Sequence, residues 1–258
     1  MHPILFSIGG FTLYSYGFFV ALGFAAGMFY LSYQAKKSPQ IISQDDLFNL
    51  LFWIIISGIA GARLLYVIAE NRSLFRTPLE IFAIWEGGLT FYGGFIAAAL
   101  AAFFYIKRKK LNIAKVMDLL APAIALGHFL GRIGCFMAGC CFGKPTNMPW
   151  GIVFRDPHSL SMIKGIPVHP AELYESFSNL ILFILLHLYN KKKHKDGLAI
   201  GAYLTAYAVC RFIIEFFRGD YRGTVVFGLS TSQFISVFVF IIGLTIVYRV
   251  NRNAENKI

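Results

Sequence analysis

Three arginines, Arg63, Arg132 and Arg211, sit inside stretches of sequence that are otherwise apolar. A charge at the centre of a membrane segment costs at least about 2.5–3.5 kcal/mol, so such residues are functional candidates by default. Arg132 belongs to the run GRIGCFMAGCCFG at 131–143, which ends on Gly143. Glycines let a backbone approach a ligand closely. A guanidinium presents a planar, permanently charged fork that suits a phosphate. The alternative for Arg132 is a glycine-rich helix end whose arginine snorkels to the interface.

A second run, YAVCRFIIEFFRGD, covers 207–220. Tyr207, Arg211 and Glu215 are spaced i, i+4, i+8 and share one helix face, with Arg218 close by. Glu215 would hold the Arg211 head in place, because an unpaired buried charge is costly. The other reading is an ion pair that only closes a helix end. A third run, WEGGLTFYGG at 85–94, sets Tyr92 between two glycine pairs. This suggests close backbone approach around Gly94, or glycine-mediated helix packing. In VHPAELYE, 168–175, Pro170 near the first helical position and the acidic Glu172 and Glu175 fit helix capping.

Cys135, Cys140 and Cys141 cluster, whereas Cys210 stands apart. A C-x4-C-C spacing is not a zinc signature, and no metal site is expected. A bridge from Cys135 to Cys140 or Cys141 is plausible in an oxidising compartment. Small residues packed at a helix end are the alternative. No base for a nucleophilic cysteine is evident in the sequence.

The elements that must position these residues follow from composition. The chain has 258 residues, 57% hydrophobic and only 14% charged, with mean hydropathy +0.62. A soluble domain carries about 25% charged residues. This excludes an ordinary cytosolic enzyme, a disordered chain and a soluble partner of nucleic acid. Seven apolar stretches approach the bilayer-spanning length of about 20 residues: 14–33, 47–69, 89–106, 116–135, 171–189, 198–217 and 230–248. The expected fold is therefore an all-α polytopic membrane protein of seven transmembrane helices, one domain over 1–258. No cleavable signal peptide is visible, since the first apolar run lacks a basic leader.

The net charge of +11 supplies the orientation. Fourteen of the 24 basic residues follow spans one, three, five and seven: Lys36, Lys37, Lys107, Arg108, Lys109, Lys110, Lys115, Lys191, Lys192, Lys193, Lys195, Arg249, Arg252 and Lys257. By the positive-inside rule these loops are cytoplasmic, the N-terminus is outside and the C-terminus inside. The three arginines then share an outer layer with His128 and Glu215, which suggests one polar cavity. Residues 70–88 read as a periplasmic arm, with Leu79, Phe82 and Trp85 on one face of a short interfacial helix. Residues 136–170 read as a small periplasmic head loop, and 7–16 as an extended interfacial segment.

These motifs resemble the bacterial prolipoprotein diacylglyceryl transferases. The resemblance runs in order through Tyr16-Gly17, GARLLY at 61–66, 85–94, 131–143, 169–175, 211–220 and GLSTSQ at 228–233. It implies a multi-pass enzyme of the inner membrane with no metal or organic cofactor. The enzyme would transfer the diacylglyceryl group of phosphatidylglycerol to the lipobox cysteine thiol of a preprolipoprotein signal peptide, and glycerol phosphate would leave. On this reading Arg132, Arg211, Tyr92 and Glu215 are catalytic, Arg132 and Arg211 meeting the phosphate and Glu215 orienting Arg211. Tyr16, Tyr207, Gly94, Gly143 and Arg63 would contribute to substrate binding. Many members carry histidine where this chain has Tyr92, asparagine and glutamate where it has Cys135 and Cys140, and glutamine where it has Glu172. Two other readings use the same residues: a lipid-binding or transport protein without catalysis, and a transferase of this fold with a different acceptor.

Overall fold

A computed structural model describes residues 1–69, 82, 87–192, 194–220 and 228–255. In chain order they form strands β1 (Ile4–Ile8) and β2 (Phe11–Tyr14), then helices α1 (Ser15–Lys37), α2 (Gln44–Ala69), α3 (Phe91–Arg108) and α4 (Ile113–Ala138). Strands β3 (Ile152–Val153) and β4 (Pro167–Val168) follow, then helices α5 (Ala171–Asn190), α6 (Leu198–Glu215) and α7 (Thr231–Glu255). Every expected apolar segment is a helix. Six of them are long and apolar enough to cross a membrane. The exception is α3, with 18 residues and with Lys107 and Arg108 in its last turn. At 1.5 Å per residue it extends about 27 Å, and its apolar part falls short of a hydrocarbon core of about 30 Å. The expectation of seven spans therefore narrows to six helices of spanning character plus α3.

The helical class gains two small antiparallel ribbons. β1 and β2 pair in register Ile8↔Phe11 around Gly9-Gly10, so the segment expected to be extended is a hairpin. Large apolar side chains such as Phe24, Phe29, Phe52, Phe104 and Phe177 are exposed on the helices, as in a protein solvated by acyl chains. The expected arm at 70–88 lies almost wholly outside the described residues. Of its three apolar positions only Phe82 is described, and it is exposed.

The chain divides into two compact units, Ser32–Val116 and Met1–Leu31 with Met117–Ile258. In the first, Ser43 caps α2 by accepting from the Asp46 backbone at 3.1 Å. Asp46 in turn pairs with Lys109 at 2.8 Å and accepts from the Tyr105 hydroxyl at 3.1 Å. Helices α2 and α3 cross on glycine. A Cβ built on Gly93 falls 2.3 Å from the Gly61 carbonyl oxygen, and one on Gly61 falls 2.6 Å from that of Gly93. Only glycine allows this approach, which is the usual way helices pack closely in lipid.

In the second unit, Ala121 and Ala125 of α4 share a buried core with Leu182 and Leu186 of α5 and Ala199, Ile200 and Tyr203 of α6. Asp118 of α4 organises the start of α6. Its carboxylate accepts from the Gly197 backbone at 2.7 Å and the Ile200 backbone at 2.8 Å. A carboxylate at a helix N-terminus satisfies orphan donors and meets the positive end of the helix dipole. The segment 136–170 is more than a loop: β3 pairs with β4, and Phe142, Phe154 and Val168 form a small core of their own. Loss of the Asp118 cap, in Asp118→Ala, should destabilise the protein by about 1–2 kcal/mol. A thermal melt of the detergent-solubilised protein checks this; an unchanged midpoint would contradict it.

Candidate active site

The polar residues of the second unit converge where α4 and α6 end and α5 begins. Glu175, one turn into α5, is 2% exposed. Its Oε1 contacts Arg132 of α4 at 2.9 Å and Arg211 of α6 at 3.9 Å. Its Oε2 lies 3.8 Å from Arg218. One buried carboxylate thus touches three guanidiniums. Glu215 stands 2.7 Å from Arg211 and 4.0 Å from Arg218. Asp220 accepts a fork from Arg218 at 2.8 and 2.7 Å. The set closes against the start of α7: Ser230 donates to Glu215 at 2.8 Å, and Arg211 donates to Ser232 at 2.8 Å. Three cations face three anions, so this set is neutral as built.

Access separates the arginines. The Arg132 side chain is 22% exposed, against 7% for Arg211 and 2% for Arg218. Arg132 is therefore the most accessible of the three to a ligand. Its electrostatic neighbours include Tyr207 and Tyr16. Tyr16 lies over the end of α4, its Cα 3.4 Å from the place of a Cβ on Gly134. Tyr207 stacks with Tyr203 at 5.8 Å and tilts against His128 at 5.4 Å. Burial works against the Arg218 charge, but the Asp220 pair and Cys141 outweigh it and hold that guanidinium above its ordinary value.

Gly143 serves a backbone crossing. A Cβ there would meet the His169 carbonyl oxygen at 2.3 Å and that of Phe217 at 2.8 Å, and one on Gly219 would meet the Gly143 oxygen at 2.5 Å. The Gly143 N–H donates to His169, and the Lys144 N–H to Phe217. This crossing fixes the segment that carries Arg218 beside Glu175.

Arg63, Tyr92 and Gly94 belong to the other unit. The Arg63 guanidinium donates to the carbonyls of Gly87 at 2.7 Å and Gly88 at 3.2 Å, and it lies over the Tyr66 ring. It holds the chain that enters α3. Gly94 gives room for the Gly58 carbonyl, 3.0 Å from a Cβ placed there. Tyr92, in the first turn of α3, is half exposed and meets Phe91 edge to face.

The cysteines do not form the bridge that was one expectation from sequence. None of the four is in a disulfide. The Cys140 thiol donates to the Cys135 carbonyl at 3.6 Å. Arg132 lies 3.9 Å from the Cys141 sulfur. Thiol hydrogen bonds from Cys135 and Cys140, with Arg218 behind them, hold the Cys141 thiol well below its usual range, while the same pairings push Cys140 up.

Sequence reasoning missed the hub. Glu172 and Glu175 fit helix capping, yet both are buried, and Glu175 joins Arg132 to Arg211 and Arg218. The available signal was their spacing: two acids three residues apart on an otherwise apolar span. Both carboxyl oxygens of Glu172 lack a hydrogen-bond partner among the described residues.

Fold and site together define a polytopic membrane protein with a buried arginine–carboxylate network at one set of helix ends. The family model for prolipoprotein diacylglyceryl transferase matches residues 3–249, and the chain belongs to that family. It is 40% identical to the phosphatidylglycerol–prolipoprotein diacylglyceryl transferase of Clostridium tetani, over 98% of each chain. A protein of the same name, numbered 2, from Clostridium perfringens is 36% identical over 100% of this chain and 98% of its own. The Geobacter sulfurreducens relative is 33% identical over 97% and 95%.

Removing one partner of a buried charge set costs about 3–5 kcal/mol. Glu175→Gln should therefore lower the thermal midpoint clearly, whereas Glu172→Gln breaks no pairing and should shift it little. Equal shifts in the two variants would contradict the assignment of Glu175 as the hub.

Proposed function

We propose that this chain transfers the diacylglyceryl group of phosphatidylglycerol to the thiol of the lipobox cysteine in a preprolipoprotein, releasing glycerol phosphate. The observation that carries the reading is Arg132: partly open to a ligand, yet fixed from behind by Glu175 at 2.9 Å. The family membership and the names of the relatives support the same reaction.

The acceptor thiolate attacks the glyceryl carbon that bears the phosphate ester. The carbon–oxygen bond breaks, and negative charge grows on the departing phosphate. Donors already aimed at that charge stabilise the transition state without reorganising. Arg132 meets the phosphate directly. Arg211 and Arg218, nearly out of solvent, act as positioning residues through Glu175 and Glu215 and contribute positive potential. Tyr16 and Tyr207 supply hydroxyls beside Arg132 for the headgroup or glyceryl oxygens. Acyl chains lie along the exposed apolar helix faces.

The enzyme works in the bacterial inner membrane. Its N-terminus and the head at 136–170 lie on the outer side, its C-terminus is cytoplasmic, and the short α3 makes a seventh crossing where the bilayer thins to meet it. The charge pattern of the loops supports this orientation.

Removing a single oxyanion-type donor typically costs about 100- to 1,000-fold in turnover. Arg132→Ala should show a loss of that order in transfer from phosphatidylglycerol to a lipobox peptide in detergent, read as the peptide's mass gain. Arg132→Lys should recover little, because a point charge does not reproduce the fork. Full transfer by Arg132→Ala would contradict the phosphate assignment. A peptide that binds but never gains mass with the intact protein would favour a lipid-binding or transport role.

A further inference from the structure

The transfer needs an acceptor thiol that has lost its proton. A thiol of ordinary pKa, about 8.5, is only about 3% ionised at pH 7. None of the residues assigned above is suited to take that proton. The arginines are permanently charged, Glu175, Glu215 and Asp220 are paired with them, and a tyrosine hydroxyl ionises only near about pH 10. The direction of attack restricts where the proton acceptor lies. Displacement at carbon is in line, so the sulfur approaches opposite the departing oxygen. In a phospholipid the glyceryl carbon and the acyl chains lie on the bilayer side of the phosphate. With the phosphate on Arg132, near the end of α4, the sulfur comes to rest further into the helix bundle.

One turn further in, on the face of α4 that carries Arg132, is His128. Four residues at 1.5 Å each set it about 6 Å from Arg132 along the helix axis. A sulfur about 3 Å from the carbon it attacks, with the ester bonds beyond, spans a similar length. His128 is partly open. Its Nδ1 lies 3.3 Å from the hydroxyl of Tyr203, a residue only 4% exposed. The ring tilts against Tyr207 at 5.4 Å, which already stands beside Arg132. With a proton on Nδ1, that atom donates to the Tyr203 oxygen and Nε2 keeps the lone pair. The groups that face the ring are Arg132 from α4, Glu175 and Asn179 from α5, and Tyr203 and Tyr207 from α6. Helix α1 brings only Gly23 against this turn, where a Cβ would lie 3.2 Å from the Gly127 oxygen.

We propose that His128 is the general base of the transfer, its Nε2 taking the proton of the acceptor thiol. The inference rests on the transferase reading above. As the proton leaves, the sulfur bonds to the glyceryl carbon, and the carbon–oxygen bond breaks with its electron pair left on the phosphate. The positive charge gained by the ring faces the negative charge growing on that phosphate. Tyr203 keeps the ring oriented meanwhile, as a third group does beside a base. The imidazolium then gives its proton to the departing glycerol phosphate and returns to the neutral form. No further reactant is consumed.

The test follows mass gain of a lipobox peptide with the full chain and phosphatidylglycerol in detergent. A general base typically contributes about 100- to 10,000-fold. His128→Gln and His128→Asn, each with its thermal melt, should therefore lose at least about 100-fold in turnover at pH 7 with the KM for phosphatidylglycerol little changed. A peptide with selenocysteine at the lipobox position, whose selenol is already ionised at pH 7, should recover most of that loss. Turnover of the variants should climb about tenfold per pH unit toward the pKa of the thiol, whereas the intact enzyme levels off at lower pH. Full turnover in either variant, or equal losses with thiol and selenol peptides, would overturn the proposal. So would an intact enzyme whose rate climbs in the same way as far as the thiol's pKa, a result that needs no variant to fold. No mass gain with either peptide on the intact protein would instead overturn the transferase reading, and the base with it.

Discussion

A carboxylate that keeps its charge while sealed from solvent between apolar helices must be matched by positive charge. Glu175 meets that requirement with three arginines drawn from different parts of the chain. Desolvating each ion costs several kcal/mol, and only close, mutually satisfied geometry returns it. The ends of α4 and α6, the segment after α6, and the first turn of α5 are therefore bound to one arrangement. The start of α7 is tied in through Ser230 and Ser232. The glycine crossing at Gly143 and Gly219 serves the same constraint, since it sets the backbone that delivers Arg218.

This arrangement has a functional consequence. A cluster balanced internally spends most of its donors on itself, so the group that remains open determines where a ligand binds. Here that group is Arg132, because Arg211 and Arg218 are enclosed by their carboxylates. Rigid pairing from behind keeps the Arg132 fork oriented before any lipid arrives, which is the condition under which electrostatic stabilisation is most effective in a dry site. The Cys141 thiol lies against the same guanidinium at 3.9 Å, with the thiols of Cys135 and Cys140 beside it.

Much of the fold was legible because lipid imposes a simple rule: long apolar runs become helices that satisfy their own backbone. The helix ends fell close to expectation for that reason. α3 was harder, since its glycine-rich start and basic last turn leave little purely apolar length. Arg132, Arg211 and Glu215 stood out as charges in apolar context, and the i, i+4 spacing of Arg211 and Glu215 foretold their contact. Glu175 was hidden because an acid near a helix N-terminus is accounted for by capping, and its partners are 43 residues upstream and 36 and 43 downstream in the sequence. Arg63 had the same signature as Arg132, yet the carbonyls of Gly87 and Gly88 absorb it. The cysteine cluster depends on a Schellman turn at the end of α4 and on the left-handed Cys141, and neither leaves a spacing pattern to read.

The most direct measurement is an experimental structure of the protein in lipid nanodiscs containing phosphatidylglycerol. The lipid phosphate should lie within about 3 Å of the Arg132 guanidinium, with the Glu175 contact to Arg132 still in place. A headgroup resting away from Arg132, or an Arg132 released from Glu175 and turned aside, would contradict the account.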